Sequence, residues 1–214
     1  MLYRLELSVY EAQRVGIALE VFKPFLIFVE DKRFFNHNGN DARALARAIW
    51  HRFAHGFRSG GSTIDQQLFR TNCLARLNRN LARKPVEWAM APWLRDRFGA
   101  EQVWKMYLCS VRFDRGVFGL AAAASHFFDV RLNSTSSWAP SPAEVFFLVD
   151  RLSNVSRTIP TARIRARITK LVAARLFTDQ DIAELKQIYL EQIGKGLINA
   201  TMADLEIQPH EPAM

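Results

Sequence analysis

The sequence feature that most constrains the fold is a repeated helix-start signal, in which a Ser or Thr is followed three residues later by an acid. In this capping box the hydroxyl and the carboxylate accept hydrogen bonds from backbone N–H groups that the first helical turn leaves unpaired. Few strand signals lie between the boxes, so the sequence predicts an all-α domain. The four predicted starts are Ser8 with Glu11, Ser62 with Asp65, Ser141 with Glu144, and Thr178 with Asp181.

The first of these helices is expected to run to about Phe22, the second towards Leu77, and the third to carry Pro142 in its first turn. Apolar residues at helical spacing predict further helices over residues 41–54, 85–97 and 101–109, and residues 116–128 are apolar all round, as in a buried helix. Pro92 is expected to kink or split the pattern that contains it. Turn-rich loops are predicted at residues 36–41, 58–61 and 132–142.

The composition fits one globular domain. The chain has 214 residues, of which 49% are hydrophobic and 23% charged, and this balance excludes disorder, collagen and a disulfide scaffold. We expect a single domain over residues 1–207 and a frayed tail over residues 208–214. Cys73 and Cys109 lack the spacing of a metal or disulfide framework and are interpreted as small apolar residues.

The chain is basic, with a formal charge of +8, which predicts an anionic partner such as a nucleic acid, a phosphorylated substrate or an acidic lipid surface. No nucleic-acid-binding motif is recognised. No uncharged stretch reaches the roughly 20 residues of a membrane span, and the first residues do not form a recognisable secretion signal. The basic stretch 161–175, which contains no acid, has two interpretations: a solvated helix face, or a surface that docks on phosphate or anionic lipid.

An acid stands at the end of an apolar run in FLIFVEDKRFFNHNGND, where Glu30 and Asp31 precede a turn. A carboxylate in this place loses hydration, which makes it a better proton acceptor near neutral pH. The alternative is a helix-terminal acid exposed to solvent.

Two further segments carry chemistry. In RSGGSTIDQQLFRTN, a glycine pair precedes a helix start, whose backbone N–H groups favour an anion. A glycine pair also occurs in ordinary loops between helices that bind nothing. In LARKPVEWAMAPWL, Arg83 and Lys84 lie within about one helical turn of Glu87. They form either an ordinary surface pair or a phosphate site in which Glu87 orients the cations or helps to coordinate a metal ion.

In this order the segments resemble the peptidoglycan glycosyltransferases of family 51. EDKRFFNHNGND resembles the family's EDxxFxxHxGxD, GGSTIDQQLFRTN is similar to GGSTITQQLxKN, and RKPVE matches RKxxE. KMYLCSVRFDRGVFGLAAAASHFF and SPAEVFFLVDRLSNVSRTIP are weaker matches to the family's fourth and fifth motifs. The resemblance covers residues 25–160.

The resemblance implies a lysozyme-like helical fold, with a large and a small lobe and a cleft between them. It implies a membrane-bound substrate, lipid II, and a growing glycan chain on a polyprenyl diphosphate as donor. It also implies the periplasmic face of the inner membrane, contact with an anionic membrane surface, cell-wall synthesis proteins as candidate partners, and no nucleic acid. A divalent cation, Mg2+ or Mn2+, is left open.

The resemblance assigns the catalytic base to Glu30 and the second glutamate, which serves the donor diphosphate or its metal, to Glu87. Arg83 and Lys84 match the pair that binds the diphosphate, and Arg70 replaces the family's usual Lys. The remaining matched positions line the cleft or shape the first motif; they are Asp31, Phe34, His37, Gly39, Ser62, Thr63 and Gln67. For His37 a structural hydrogen bond is the favoured interpretation.

Several positions depart from the family pattern. Asp65 stands where Thr is usual and is interpreted as the capping partner of Ser62; Arg95 stands where Glu is common. Lys105 and Cys109 replace the Glu and Asn of the fourth motif. These changes leave both glutamates in place and favour an active, divergent enzyme.

The alternatives are a degenerate relative that binds lipid-linked sugar or serves as a scaffold without turnover, and a lysozyme-like hydrolase that uses paired carboxylates. Residues 104–108, which flank Lys105, form either an apolar surface for the membrane or ordinary core, and core is favoured.

Overall fold

The computed structural model describes residues 2–55, 61–74, 83–133, 137–153 and 161–199. Most of the predicted loop at residues 58–61, the predicted end of a helix near Leu77, the segment 154–160 and the expected frayed tail 208–214 lie outside the described residues.

The described part of the chain is mostly helical, which confirms the predicted fold class. Its only sheet is a two-stranded antiparallel hairpin, β1 (Arg112–Asp114) and β2 (Val117–Phe118). Short 3-10 turns occupy Leu19–Phe22 and Phe34–Asn36. The α-helices are α1 (Leu2–Arg14), α2 (Lys23–Glu30), α3 (Ala42–His55), α4 (Ile64–Cys73), α5 (Arg83–Ser110), α6 (Leu120–Phe128), α7 (Pro142–Ser153), α8 (Thr161–Ala173) and α9 (Asp179–Gly194).

Two of the four predicted capping boxes form as expected. The Ser141 hydroxyl accepts from the backbone N–H of Glu144, and the Glu144 carboxylate accepts from the backbone N–H of Ser141, so α7 begins at Pro142. Thr178 and Asp181 make the same reciprocal pair at the start of α9.

The other two predicted starts are wrong. Ser8 lies inside α1 and donates from its hydroxyl to the Leu5 carbonyl at 2.7 Å. The N-cap of α4 is Thr63, whose hydroxyl accepts from the Gln66 backbone N–H at 3.2 Å, and Ser62 lies one residue before it. The box at Ser62 fails because the carboxylate of Asp65 is engaged elsewhere, by Arg95.

The apolar stretch 116–128 is a helix only from Leu120 onwards. Gly116 closes the turn between β1 and β2, and Gly119 precedes α6; both have φ near +80°, a left-handed conformation that a helix does not contain. A Cβ on Gly119 would lie 2.4 Å from the Cys109 carbonyl oxygen, so the chain passes too close to the end of α5 for any side chain. The helix that follows is buried on one face, through Leu120, Ala123, Ala124 and Phe127, and exposes Ala122 and Ser125 on the other, so the predicted buried helix is confirmed in part.

The break in α5 lies at Gly99 (φ 73°, ψ 160°), whereas Pro92 stays within the helix. A proline at position 92 leaves the Trp88 carbonyl without its usual helical donor, and the Asn40 side-chain amide donates to that carbonyl at 2.7 Å instead. The break divides α5 into two arms that both pack on α4: Arg95 of the first arm contacts Asp65, and Tyr107 of the second contacts Gln67.

The hydrophobic core is formed by α1, α2, α4, both arms of α5, α6, α7, α8 and α9, with Leu94 as the contribution of the first α5 arm. Residues 104–108 belong to it, because all except the partly buried Lys105 are fully buried, which confirms core packing over a membrane surface. Among the described residues, α3 contributes no side chain to this core and exposes Ile49, Trp50 and Phe53. In the part of the chain that the structure describes, no helix is long and apolar enough to cross a bilayer.

Candidate active site

Glu30 is the last residue of α2, and its side chain is only 7% exposed. The buried Phe25 and Leu26 hold α2 in the core, so the end of the helix delivers the carboxylate to the margin of the core. Its Oε2 accepts from the side-chain amide of Gln67 at 3.1 Å, and its Oε1 lies 3.9 Å from Nη2 of Arg167. The predicted loss of hydration at this acid is therefore confirmed.

The orientation of Gln67 is fixed from the other side by Tyr107. The Tyr107 hydroxyl donates to Gln67 Oε1 at 2.9 Å. Burial, reinforced by the charge of Glu30, raises the pKa of Tyr107 well above its usual value, so the hydroxyl keeps its proton. Because the amide oxygen of Gln67 is occupied by that donor, its nitrogen faces Glu30.

Arg167 contacts Glu30 and was not among the predicted site residues. It lies on α8, where the basic stretch turns one face inward: Arg167 hydrogen-bonds Asp150, and Arg163 Nη2 lies 3.5 Å from the same carboxylate. The i, i+4 spacing of these two arginines indicates that they share one face of the helix, but the sequence does not indicate that this face points to the cavity.

The first-motif turn after Glu30 is held by Asp31 and His37. Asp31 Oδ2 lies 3.0 Å from His37 Nε2 and accepts from the backbone N–H of Ile64 at 3.2 Å. Both side chains are about 5% exposed, and Phe34 is fully buried. The geometry fits the favoured structural role of His37, which fastens the turn to the start of α4.

Gly39 lies where the same turn passes the backbone of α5. Its φ is +79°, and a Cβ would lie 2.5 Å from the backbone carbon and oxygen of Ala91. The Thr63 hydroxyl donates to the Gly39 carbonyl at 2.6 Å. Only glycine combines this backbone conformation with so close an approach.

Glu87 is completely buried, yet three cationic side chains surround it. The carboxylate lies 2.7 Å from Arg83 Nε, 2.9 Å from Lys84 Nζ and 3.9 Å from Arg70 Nη1. Lys84 also donates to the Ser62 hydroxyl at 2.7 Å. The three cations carry two more positive charges than Glu87 neutralises, so the cluster attracts an anion with several charges.

A divalent cation bound directly by Glu87 does not fit these residues. Both carboxylate oxygens contact cationic nitrogens, and a metal ion would lie among three like charges. Polar atoms of Asp31, His37 and Asp65 also lie within 4.8 Å of one another. Asp31 is engaged by His37 and a backbone N–H, and Asp65 by Arg95, so this group also fits a hydrogen-bonded network better than a metal site.

A cavity of about 460 Å3 opens beside Glu30. Ser62 and Thr63 line it from the start of α4, and three exposed cations also line it: Lys32, Arg47 of α3 and Lys170 of α8. Glu87 lies outside this lining, but the Ser62–Lys84–Glu87 contacts join the two sites. A larger cavity of about 730 Å3 lies between α1 and α6, and none of the predicted site residues lines it.

Asp65 and Arg95, the two departures near the site, pair with each other. Arg95 Nε and Nη2 donate to the two Asp65 oxygens at 2.9 and 2.6 Å, and both residues are buried. The interpretation of Asp65 as the capping partner of Ser62 is therefore wrong. Its charge is neutralised within the protein rather than directed at an anion site.

Comparison with known proteins gives one family and several relatives. The model of a family described as transglycosylase matches residues 13–176. The chain is 36% identical to penicillin-binding protein 1F of Bacillus subtilis over 104 residues, which are 48% of this chain and 14% of that protein. It is 32% identical to the biosynthetic peptidoglycan transglycosylase of Burkholderia thailandensis over 147 residues, 68% of this chain and 57% of the relative.

A third relative, a monofunctional glycosyltransferase of Staphylococcus aureus, is 30% identical over 118 residues, 55% of this chain and 44% of the relative. The matched segments span about half the length of the last two relatives and a small part of the first.

Proposed function

The chain belongs to the transglycosylase family, and from this premise we propose that it is a peptidoglycan glycosyltransferase that polymerises lipid II into glycan strands. The observation that carries the proposal is a pair of acids in two different environments, Glu30 beside the cavity and Glu87 joined to the cavity lining through Lys84 and Ser62. Glu30 is dehydrated and has amide and guanidinium neighbours, whereas Glu87 is enclosed by three cations. One suits proton removal and the other suits binding of a diphosphate.

In the proposed reaction, the 4-hydroxyl of the acceptor sugar attacks the anomeric carbon of the donor. A new carbon–oxygen bond forms on one face of that carbon while its bond to the phosphate oxygen breaks on the other, which inverts the configuration. The hydroxyl proton passes to Glu30, and the electron pair of the broken bond leaves with the polyprenyl diphosphate. Gln67 and Arg167 orient Glu30 for this transfer.

The leaving diphosphate needs positive charge more than it needs a proton, and Arg70, Arg83 and Lys84 supply it. Lys84 and Arg83 are half or partly exposed, so they can bind an anion while their contacts to Glu87 keep them in place. These side chains supply the positive charge that a divalent cation would otherwise provide. We therefore expect turnover without added divalent cation.

The acceptor is proposed to enter the cavity beside Glu30. Arg47 and Lys170 line this cavity from different helices and are exposed and positively charged. They would therefore contact the anionic groups of a second lipid-linked molecule. A hydrolase is less well supported, because Glu87 cannot act as nucleophile or base while three cations occupy its oxygens.

Access to a membrane-bound substrate is proposed to come from α3 and the first arm of α5. Trp50 and Phe53 are 68% and 85% exposed, and Trp88 and Trp93 are partly exposed on α5. Tryptophan and phenylalanine on a basic protein favour the interface of an anionic bilayer. The inner-membrane, periplasmic-face location is part of this proposal.

The experiment supplies purified protein with fluorescent lipid II in detergent micelles, with and without excess EDTA, and resolves glycan products on a gel. We expect polymer in both arms. Bound lipid II without product would identify a scaffold instead, and sugar fragments released from purified cell wall would identify a hydrolase. Flotation with anionic and neutral vesicles tests the membrane surface: Trp50→Ser with Phe53→Ser should reduce flotation, and Tyr3→Ser, an exposed aromatic of α1, is the control.

A further inference from the structure

The buried pair Asp65–Arg95 joins α4 to the first arm of α5. Asp65 is fully buried and Arg95 is 8% exposed, and the guanidinium binds both carboxylate oxygens. Such a pair has strict geometric requirements, because a buried charge that loses its partner is strongly unfavourable.

A second ion pair of opposite polarity joins the same two helices further along. Asp65 of α4 contacts Arg95 of α5. Arg70, five residues after Asp65 on α4, contacts Glu87, which lies eight residues before Arg95 on α5. The two helices therefore run antiparallel here, with the acid on α4 in one pair and on α5 in the other. A slide of one helical turn would place Asp65 opposite Ala91 or Gly99, and neither can neutralise it.

Arg95 also reaches the first-motif turn. Its Nη1 donates to the Phe34 carbonyl at 3.0 Å, and its guanidinium lies 4.0 Å from the centroid of the Phe34 ring. One side chain thus joins α4, α5 and the turn that follows Glu30. Gln67, which contacts Glu30, lies two residues beyond Asp65 on α4.

We propose that Asp65–Arg95 is a positioning pair that sets the register of α4 on α5, and thereby places Arg70 against Glu87 and Gln67 against Glu30. Asp65 and Arg95 are the two departures from the family pattern near the site, and in this chain they neutralise each other. The register claim does not depend on the reaction; only its activity arm rests on the proposed function.

The test compares wild type with Asp65→Thr, Arg95→Glu and the double variant, which carries the residue types of the family pattern. Three quantities are measured: the melting temperature, the Arg70 Nε–H signal in a nitrogen–proton NMR spectrum, assigned with Arg70→Lys, and the initial rate on lipid II. We expect each single variant to melt lower, to shift the Arg70 signal and to lose about tenfold or more in rate. The double variant should lose less than the sum of the two single losses, because it leaves neither an unpaired guanidinium nor two facing carboxylates.

The proposal would be overturned if the losses in melting temperature and rate simply add in the double variant. It would also be overturned if the Arg70 signal does not move in folded single variants. If Arg95→Glu does not fold, Arg95→Lys replaces it, because lysine keeps the positive charge but cannot make the bidentate contact. We expect this variant to fold, to shift the Arg70 signal and to reduce kcat more than it changes KM. An unshifted signal there also overturns it. If wild type makes no polymer, the proposed function fails, while melting and NMR still decide the register claim.

Discussion

The side chain of Gln67 bridges Tyr107 and Glu30, accepting from the tyrosine hydroxyl at 2.9 Å and donating to the carboxylate at 3.1 Å. A glutamine at this place can rotate its amide and present oxygen to an acid, but the buried hydroxyl prevents this. Glu30, the proposed proton acceptor, is therefore oriented from the core, through a residue of the second α5 arm.

Tyr107→Phe tests this arrangement. Removal of the hydroxyl leaves the Gln67 oxygen without its buried donor, so we expect the free energy of unfolding to fall by about 1 kcal/mol. We also expect kcat on lipid II to fall more than KM changes, because the amide can then turn its oxygen towards Glu30. Tyr10→Phe is the control, since Tyr10 is 62% exposed on α1. Equal effects of the two variants would contradict the bridge.

Gly39→Ala is expected to be the more destabilising of two matched glycine substitutions. Gly39 and Gly116 have φ of +79° and +80°, so each alanine suffers a similar backbone penalty of about 1–2 kcal/mol. Around Gly116 nothing lies within 4 Å of the added Cβ, whereas at Gly39 it would lie 2.5 Å from the Ala91 backbone. Chemical denaturation measures the difference, and a Gly39→Ala variant as stable as Gly116→Ala would show that the turn is free to move away from α5.

The cation cluster predicts binding of inorganic pyrophosphate. At low salt, pyrophosphate should raise the melting temperature of the wild type, and the increase should shrink as salt is added. Lys84→Gln and Arg83→Gln should each reduce the increase, because each removes a charge beside Glu87. Arg4→Gln, an exposed cation on α1, is the control. A melting temperature that responds equally in all four proteins would mean that pyrophosphate binds elsewhere or only through the net charge.

Alkaline pH should destabilise the fold partly through Cys109. Burial raises the pKa of this thiol to about 12, against 9.0 for an ordinary thiol, so the unfolded chain ionises first. The contribution of this group to stability is intact below pH 9 and is lost as pH rises towards 12, by about 1.4 kcal/mol per pH unit.

Cys109→Ala should therefore flatten the fall of unfolding free energy between pH 9 and 12. Cys73→Ala is the comparison: the pKa of that thiol is raised to about 11, so its effect should end earlier. Identical slopes in wild type and Cys109→Ala would contradict a buried, protonated thiol.

The sequence predicts the site motifs well because their chemistry depends on local spacing. Glu30 at the end of an apolar run, and Arg83 and Lys84 within a turn of Glu87, are visible in short stretches of sequence. In the structure Glu30 is buried at the end of α2, and Arg83 and Lys84 contact Glu87. Arg167 and Tyr107 were missed as site residues, since their contacts come from helices far along the chain and nothing local shows which face meets Glu30.

The errors in the fold arise from competition between local and tertiary interactions. Asp65 has the spacing of a capping acid, but a buried guanidinium is a stronger partner than a backbone N–H group. Pro92 was expected to break α5, but Asn40 satisfies the carbonyl that the proline leaves unpaired, and the break falls at Gly99. Side chains distant in sequence decide both outcomes.

The role of Glu30 as proton acceptor is tested most directly by lipid II polymerisation with Glu30→Gln. The substitution keeps the size of the side chain and removes its capacity to accept the hydroxyl proton, so we expect kcat to fall by at least about a hundredfold with little change in melting temperature. Glu6→Gln, an exposed glutamate of α1, should polymerise like the wild type. Polymerisation by Glu30→Gln at the wild-type rate would contradict the account, because the proton would then be taken by another group.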